Sequence, residues 1–195
     1  DNYGNIVLEN NDESERILSE DTAFITTKLL EGVVTEGTAR YLTFKNKSEI
    51  SGKTGTSSDL KDRWFIGYTP SYVCGVWCGY DTPRPMYYAE NPSCIFFDKV
   101  MNKVYENREY EYFYIPNGIV KCEYCMDSGN LVCHECTIDL RGDRTQTGYF
   151  KVGSEPKEYC SLHKKVVIDT EDGLIADALT PSYRRRTVSL LDYNR

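Results

Sequence analysis

Aromatic and β-branched residues crowd the stretch from Ile50 to Tyr80, where Asp59, Asp62, Pro70 and several glycines cut them into short runs. Runs of this length and composition suit a pleated, half-buried surface, so the expectation is three consecutive antiparallel strands. The first carries Lys53-Thr54-Gly55. Side chains alternate across a strand, so on the third Tyr72, Cys74, Val76, Cys78 and Tyr80 share one face, and Val73, Gly75, Trp77 and Gly79 share the other. The glycines leave room for close packing.

Helices are expected on both sides of this block. Ser19 can cap the first, Glu20 and Asp21 suit its positive N-terminus, Ile25, Leu29 and Val33 recur at helical spacing, and Gly37 can end it. Asn91-Pro92 reads as a second start, with Phe97, Val100, Met101 and Val104 on one apolar face and an end near Asn107. A short strand is expected at Ile6-Val7-Leu8, before a stretch too polar for burial. After Asn107 come a tyrosine-rich segment, Pro116-Asn117-Gly118, and a region dense in cysteine and turn residues. This composition change divides the chain into residues 1–108 and a Cys-rich extension, 109–195. The fold class is α+β: an antiparallel sheet packed with helices, followed by a small β-rich extension.

With 195 residues, 40% of them hydrophobic, the chain can bury a sizeable core. Thirty acidic against 23 basic residues give a net charge of -7, which argues against a nucleic-acid surface. Arg184-Arg185-Arg186 reads as a solvated patch. No export leader and no run of about eighteen apolar residues is visible. The start at Asp1 without a methionine fits a piece of a longer protein.

Lys-Thr-Gly alone arises by chance in roughly one chain in twenty of this length at average composition. Its surroundings add the information: Ser51-Gly52 ahead, Thr56-Ser57 behind, then Asp62, Trp64-Phe65, Gly67-Tyr68-Thr69-Pro70, Val76-Trp77, Gly79-Tyr80-Asp81 and Pro83-Arg84-Pro85. This run resembles the C-terminal part of the transpeptidase domain of class A penicillin-binding proteins, whose third signature is Lys-Thr-Gly. Leu29-Leu30, Val33-Val34 and Gly37-Thr38-Ala39 resemble the helix before it in that family. Phe150, Gly153, Pro156, Cys160 and His163 resemble the family's C-terminal extension.

The resemblance implies a D-Ala-D-Ala stem peptide or a β-lactam as ligand, each with a carboxylate beside the scissile bond. Lys53 would supply the cation and Thr54 and Thr56 the hydroxyls, while Gly55 leaves the strand edge clear for a peptide laid along it. The backbone N–H of Thr56 would form half of an oxyanion hole, with the nucleophile's own N–H as the other half. It also implies a membrane-anchored bacterial parent on the extracytoplasmic face, a glycosyltransferase domain, and no cofactor. The signatures that carry the nucleophile are missing. Ser58 to Lys61, Ser161 to Lys164 and Ser128-Gly129-Asn130 match them only by spacing, at places the family's nucleophile does not occupy. The chain alone is therefore expected to be inert. A sensor module that binds β-lactams without turnover would share the same four residues, and a β-lactamase is a third possibility.

Eight cysteines exceed ordinary usage. Cys74 and Cys78 are about 13 Å apart along one strand, too far for a mutual disulfide, and with Cys94 they read as core thiols. Cys122-x-x-Cys125 and Cys133-x-x-Cys136 have the spacing of a two-knuckle zinc site, in which His134 or His163 can replace one ligand. Against this, the spacer is short, Asp127 to Asn130 looks like a hairpin turn, and on a plain strand Cys122 and Cys125 face opposite ways. The resemblance places Cys136 and Cys160 where a cysteine pair recurs, which implies a disulfide in an oxidising compartment. Disulfide, zinc and free thiols all remain open, and both histidines read as ordinary surface or hairpin residues.

Overall fold

The computed structural model describes residues 15–192 together with Tyr3, Asn5 and Ile6. Val7 and Leu8 of the first expected strand lie outside the described residues. The chain divides into two compact units, Asp1–Phe113 and Tyr114–Arg195. The boundary falls beyond Arg108 because residues 109–113 are tied back into the first unit. The Glu111 carbonyl accepts the N–H of Glu49, and the Glu49 carboxylate accepts the N–H of Phe113 at 2.7 Å.

In the first unit, helix α1 spans Glu20–Thr35. Ser19 caps it, its Oγ accepting the N–H of Thr22 at 3.2 Å, which satisfies one of the donors a helix start leaves without a partner. The buried positions are Phe24, Thr27 and Val34, whereas Leu29 is 74% exposed, so the inner face is rotated from the one expected. Polar bonds cause the rotation. Thr27 Oγ1 meets the Tyr68 hydroxyl at 3.0 Å, and its carbonyl accepts the buried Ser51 hydroxyl at 2.7 Å. Lys28 is held on the same side by Glu31 and Glu49, each at 2.9 Å.

Strands β1 (Ser51–Thr56), β2 (Arg63–Tyr68) and β3 (Val73–Cys78) form an antiparallel sheet in the order β1-β2-β3, the three consecutive antiparallel strands expected from the composition of the runs. Trp64 pairs with Gly55 on one side and Trp77 on the other, and Phe65 pairs with Thr54 and Val76. Helix α2 (Pro92–Val104) covers the face bearing Phe65 and Val76. Asn91 caps α2 by accepting the N–H of Ser93 at 3.0 Å, and its start is pinned by Ser93 donating to the Arg63 carbonyl at 2.7 Å. The helix stops at Val104, short of Asn107, and Val104 is exposed while Cys94, Phe97 and Met101 are buried. Phe44, Phe65, Phe97 and Tyr105 meet edge to face, with centroids 4.8 to 6.4 Å apart. Cys74 and Cys78 flank this core and Cys94 lies within it.

In the second unit, β4 (Ile119–Cys125) pairs antiparallel with β5 (Thr145–Lys151), and β6 (His163–Asp169) with β7 (Arg185–Leu191). The short helix α3 (His134–Thr137) lies between β4 and β5 in sequence. The expected turn at 127–130 forms, with Gly129 at φ 73° and the Cys125 N–H donating to the Asn130 carbonyl at 2.8 Å. It closes a single antiparallel bridge, Tyr124 with Leu131, and the long pairing of β4 is with the later β5. Arg185 and Arg186 are exposed, as expected of a solvated patch, whereas the partly buried Arg184 grips Asp169 through two bonds of 2.8 and 2.6 Å. The architecture is α+β with a small β-rich C-terminal part.

Candidate functional site

Two constellations carry chemistry, one in each unit. The first is the outer edge of the sheet. β1 is an edge strand, and among the described residues no strand pairs with its far side. Its ladder phase follows from the Ser57 N–H donating to the Asp62 carbonyl at 3.1 Å. Inward-facing residues alternate along an antiparallel pair, so Gly55 and Lys53 turn their backbone groups toward β2, whereas those of Thr54 and Thr56 point to the free edge.

The loop after β1 is held tightly. Ser57 Oγ accepts the N–H groups of Lys61 and Asp62 at 3.1 and 2.9 Å, and Asp62 in turn accepts the Trp77 indole N–H at 3.0 Å. Ser57 and Asp62 thereby fix the end of the edge strand. The alternation of apolar residues gave no hint of their part in the site.

Lys53 is exposed and donates to the Thr54 carbonyl at 2.9 Å; among the described residues no carboxylate pairs with it. Thr54 Oγ1 lies 3.0 Å from Thr38 Oγ1, and Thr56 Oγ1 accepts from Arg63 at 3.2 Å. A Cβ on Gly52 would fall 2.8 Å from the Ile66 carbonyl, so only glycine lets β1 and β2 approach there. Gly55 is less constrained, with Trp64 Cβ 3.0 Å from where its own would stand. Lys61 is paired with Asp59 at 2.8 Å and Ser58 is exposed, an arrangement unlike an activated nucleophile and its base.

The second constellation is buried. Cys125 at the end of β4, Cys136 in α3, Cys160 and His163 at the start of β6 bring their ligand atoms within 4.8 Å of one another. Of the four cysteines with two-knuckle spacing, Cys125 and Cys136 enter this group. Cys122 does not, and neither does Cys133, whose Sγ lies 3.4 Å from Cys136 Sγ. Cys136 and Cys160, where the resemblance implied a disulfide, are both free thiols here. His163 is 4% exposed, so it is not a surface histidine, whereas His134 is exposed.

The His163 Nδ1 faces all three sulfurs. Its Nε2 lies 3.2 Å from Asp139 and 3.3 Å from Asp127, with neither oxygen in line for a well-formed hydrogen bond. Arg141 bonds both carboxylates and Arg144 bonds Asp127, which holds both acids below the usual carboxylate range. Burial pushes the Cys136 thiol up; at Cys160 burial is outweighed by hydrogen bonds from Ser128 and His163, and the thiol comes down to about 6.

A family model described as the penicillin-binding protein 1A C-terminal domain matches residues 115–165. The chain is 34% identical to penicillin-binding protein 1A of Clostridium perfringens over 174 residues, covering 88% of the chain and 21% of that protein. It is 34% identical to the protein of the same name from Clostridium botulinum over 186 residues, covering 94% and 22%. In structure it is similar to penicillin-binding protein 1A from Haemophilus influenzae, with a TM-score of 0.60 and 22% identity over 74% of this chain and 22% of that one. A Lys-Thr-Gly edge strand on this sheet, with these similarities in sequence and fold, defines a penicillin-binding protein. The chain belongs to class A of that family, and it spans about a fifth of the length of the relatives it matches. No helix among the described residues is long and apolar enough to cross a membrane.

Proposed function

We propose that Lys53, Thr54, Gly55 and Thr56 form the carboxylate-recognising wall of a peptidoglycan D,D-transpeptidase, which cross-links stem peptides through a serine acyl-enzyme in a longer parent. The observation that carries this reading is the free edge of β1, to which Thr54 and Thr56 direct their backbone groups while Lys53 stands beside them without a carboxylate partner. A stem peptide ending in D-Ala-D-Ala can add to that edge as a further strand. Its terminal carboxylate meets Lys53, and the Thr54 and Thr56 hydroxyls donate to it. The Thr56 N–H then faces the carbonyl under attack. One such donor is worth about 3 kcal/mol when negative charge develops on that oxygen.

The nucleophile belongs to the other wall, together with its own N–H, the second half of the hole. The acceptor is an amine of a neighbouring stem, and the parent works at the extracytoplasmic face of the bacterial membrane. A β-lactam occupies the same wall because it carries the same carboxylate.

Two measurements test this. In the parent protein Lys53→Ala should slow acylation by a labelled penicillin about 10- to 100-fold, the span of one charge-assisted hydrogen bond. The fold should persist, since the side chain is exposed. Unchanged acylation would refute the role of Lys53. The 195-residue chain alone should take up no label, and covalent labelling of it would place the nucleophile within these residues.

A further inference from the structure

We propose that Cys125, Cys136, Cys160 and His163 form a structural zinc site in the second unit. The distances carry the assignment. His163 Nδ1 is 3.3 Å from Cys160 Sγ, 3.5 Å from Cys136 Sγ and 3.6 Å from Cys125 Sγ. Zinc bonds of about 2.3 Å to sulfur and about 2.05 Å to nitrogen, at tetrahedral angles, set each sulfur–nitrogen edge at about 3.6 Å. A disulfide would instead draw two sulfurs to about 2.05 Å and leave the third out. Here three sulfurs from separate segments surround one nitrogen.

The surroundings complete the site. A histidine bound through Nδ1 keeps its proton on Nε2, and the carboxylates nearest to it are those of Asp127 and Asp139, at 3.3 and 3.2 Å. Both acids are anchored by Arg141, and Asp127 by Arg144 as well, so the imidazole is oriented from behind. With one Zn²⁺ bound, three thiolates and a neutral imidazole leave a net charge of -1. The two arginines offset the two aspartates. Four protein ligands leave no open position, so the site is structural and has no place for a reacting water. It joins the end of β4, α3, the segment before β6 and β6 itself. This is the kind of staple a small, thinly packed unit requires.

The test uses the 195-residue chain purified under reducing conditions. Elemental analysis should find one zinc per chain, and replacement by Co²⁺ should give the sulfur-to-cobalt charge-transfer band and intense visible bands of a tetrahedral thiolate site. Cys160→Ser and His163→Gln should weaken cobalt binding more than about 100-fold, and Asp139→Asn about 10- to 100-fold with the charge-transfer band retained. Cys122→Ser should change nothing. Three results would overturn the assignment: reduced protein that binds neither metal, a disulfide among Cys125, Cys136 and Cys160 in the mass spectrum, or loss of metal on Cys122→Ser. The cobalt spectrum of the unmutated chain decides the question even where a variant fails to fold.

Discussion

In the first unit the deeply buried side chains include Phe24, Phe44, Phe65, Phe97 and Tyr105, joined by Val34, Leu42, Ile50 and Met101; in the second, the buried hydrophobic positions among the described residues are Cys125, Cys136, Cys160, Ile168 and Val188. Removing large aromatic and aliphatic side chains from water stabilises the first unit by about 1.5 to 3 kcal/mol each, before conformational entropy is counted. The second has few such side chains, and the cluster at its centre consists of three thiols beside an imidazole. One unit is therefore held by packing and the other by a cross-link. Each should respond to perturbations that leave the other intact.

The largest expected effect is on the second unit. Cys136→Ser removes a zinc ligand at a fully buried position, and structural zinc contributes on the order of 10 kcal/mol in small metal-dependent domains. The β4–β5 and β6–β7 pairs should lose cooperative unfolding while the first unit keeps its own, read from resolved NMR signals of each. Loss of both together would break the comparison.

Next in size is Phe65→Ala, which empties a fully buried site against Phe97 and should cost the first unit about 3 to 5 kcal/mol in urea unfolding. The metal content of the chain should not change.

The smallest effect is electrostatic. Asp169 in β6 is held below its ordinary range, chiefly by Arg184, with the Glu171 N–H also donating to it; Glu171 itself pairs with Arg184 at 2.5 Å. A depressed carboxyl contributes stability above its unfolded value, near 3.8, and loses it as pH falls through the folded one. Asp169→Asn should flatten the acid limb of the second unit's stability curve. An unchanged limb would remove this pair from the account.

The sheet was legible because short runs of aromatic and β-branched residues are cut by turn residues, so three consecutive antiparallel strands with Lys-Thr-Gly on the first were expected. The face of α1 was not. Thr27 is buried by hydrogen bonds to Tyr68 and Ser51, and a pattern built on apolar residues cannot register a polar side chain turned inward. Among the cysteines, β4 turns Cys122 and Cys125 to opposite faces, as expected of a strand, and Cys125 is buried without Cys122; the spacing did not show that Cys136, Cys160 and His163 are its neighbours. The unused signal was Cys160-Ser-Leu-His163, a Cys-x-x-His pair whose members are both buried in the fold. Its partners lie on segments far away in sequence, and only folding reveals which they are.

Hydrogen exchange of the 195-residue chain with and without a zinc chelator tests the contrast between the units most directly. Chelation should abolish protection of the amides in 119–125, 145–151 and 163–169 and leave those in 51–56, 63–68 and 73–78 unchanged. Protection unchanged throughout, or lost equally in both units, would contradict it.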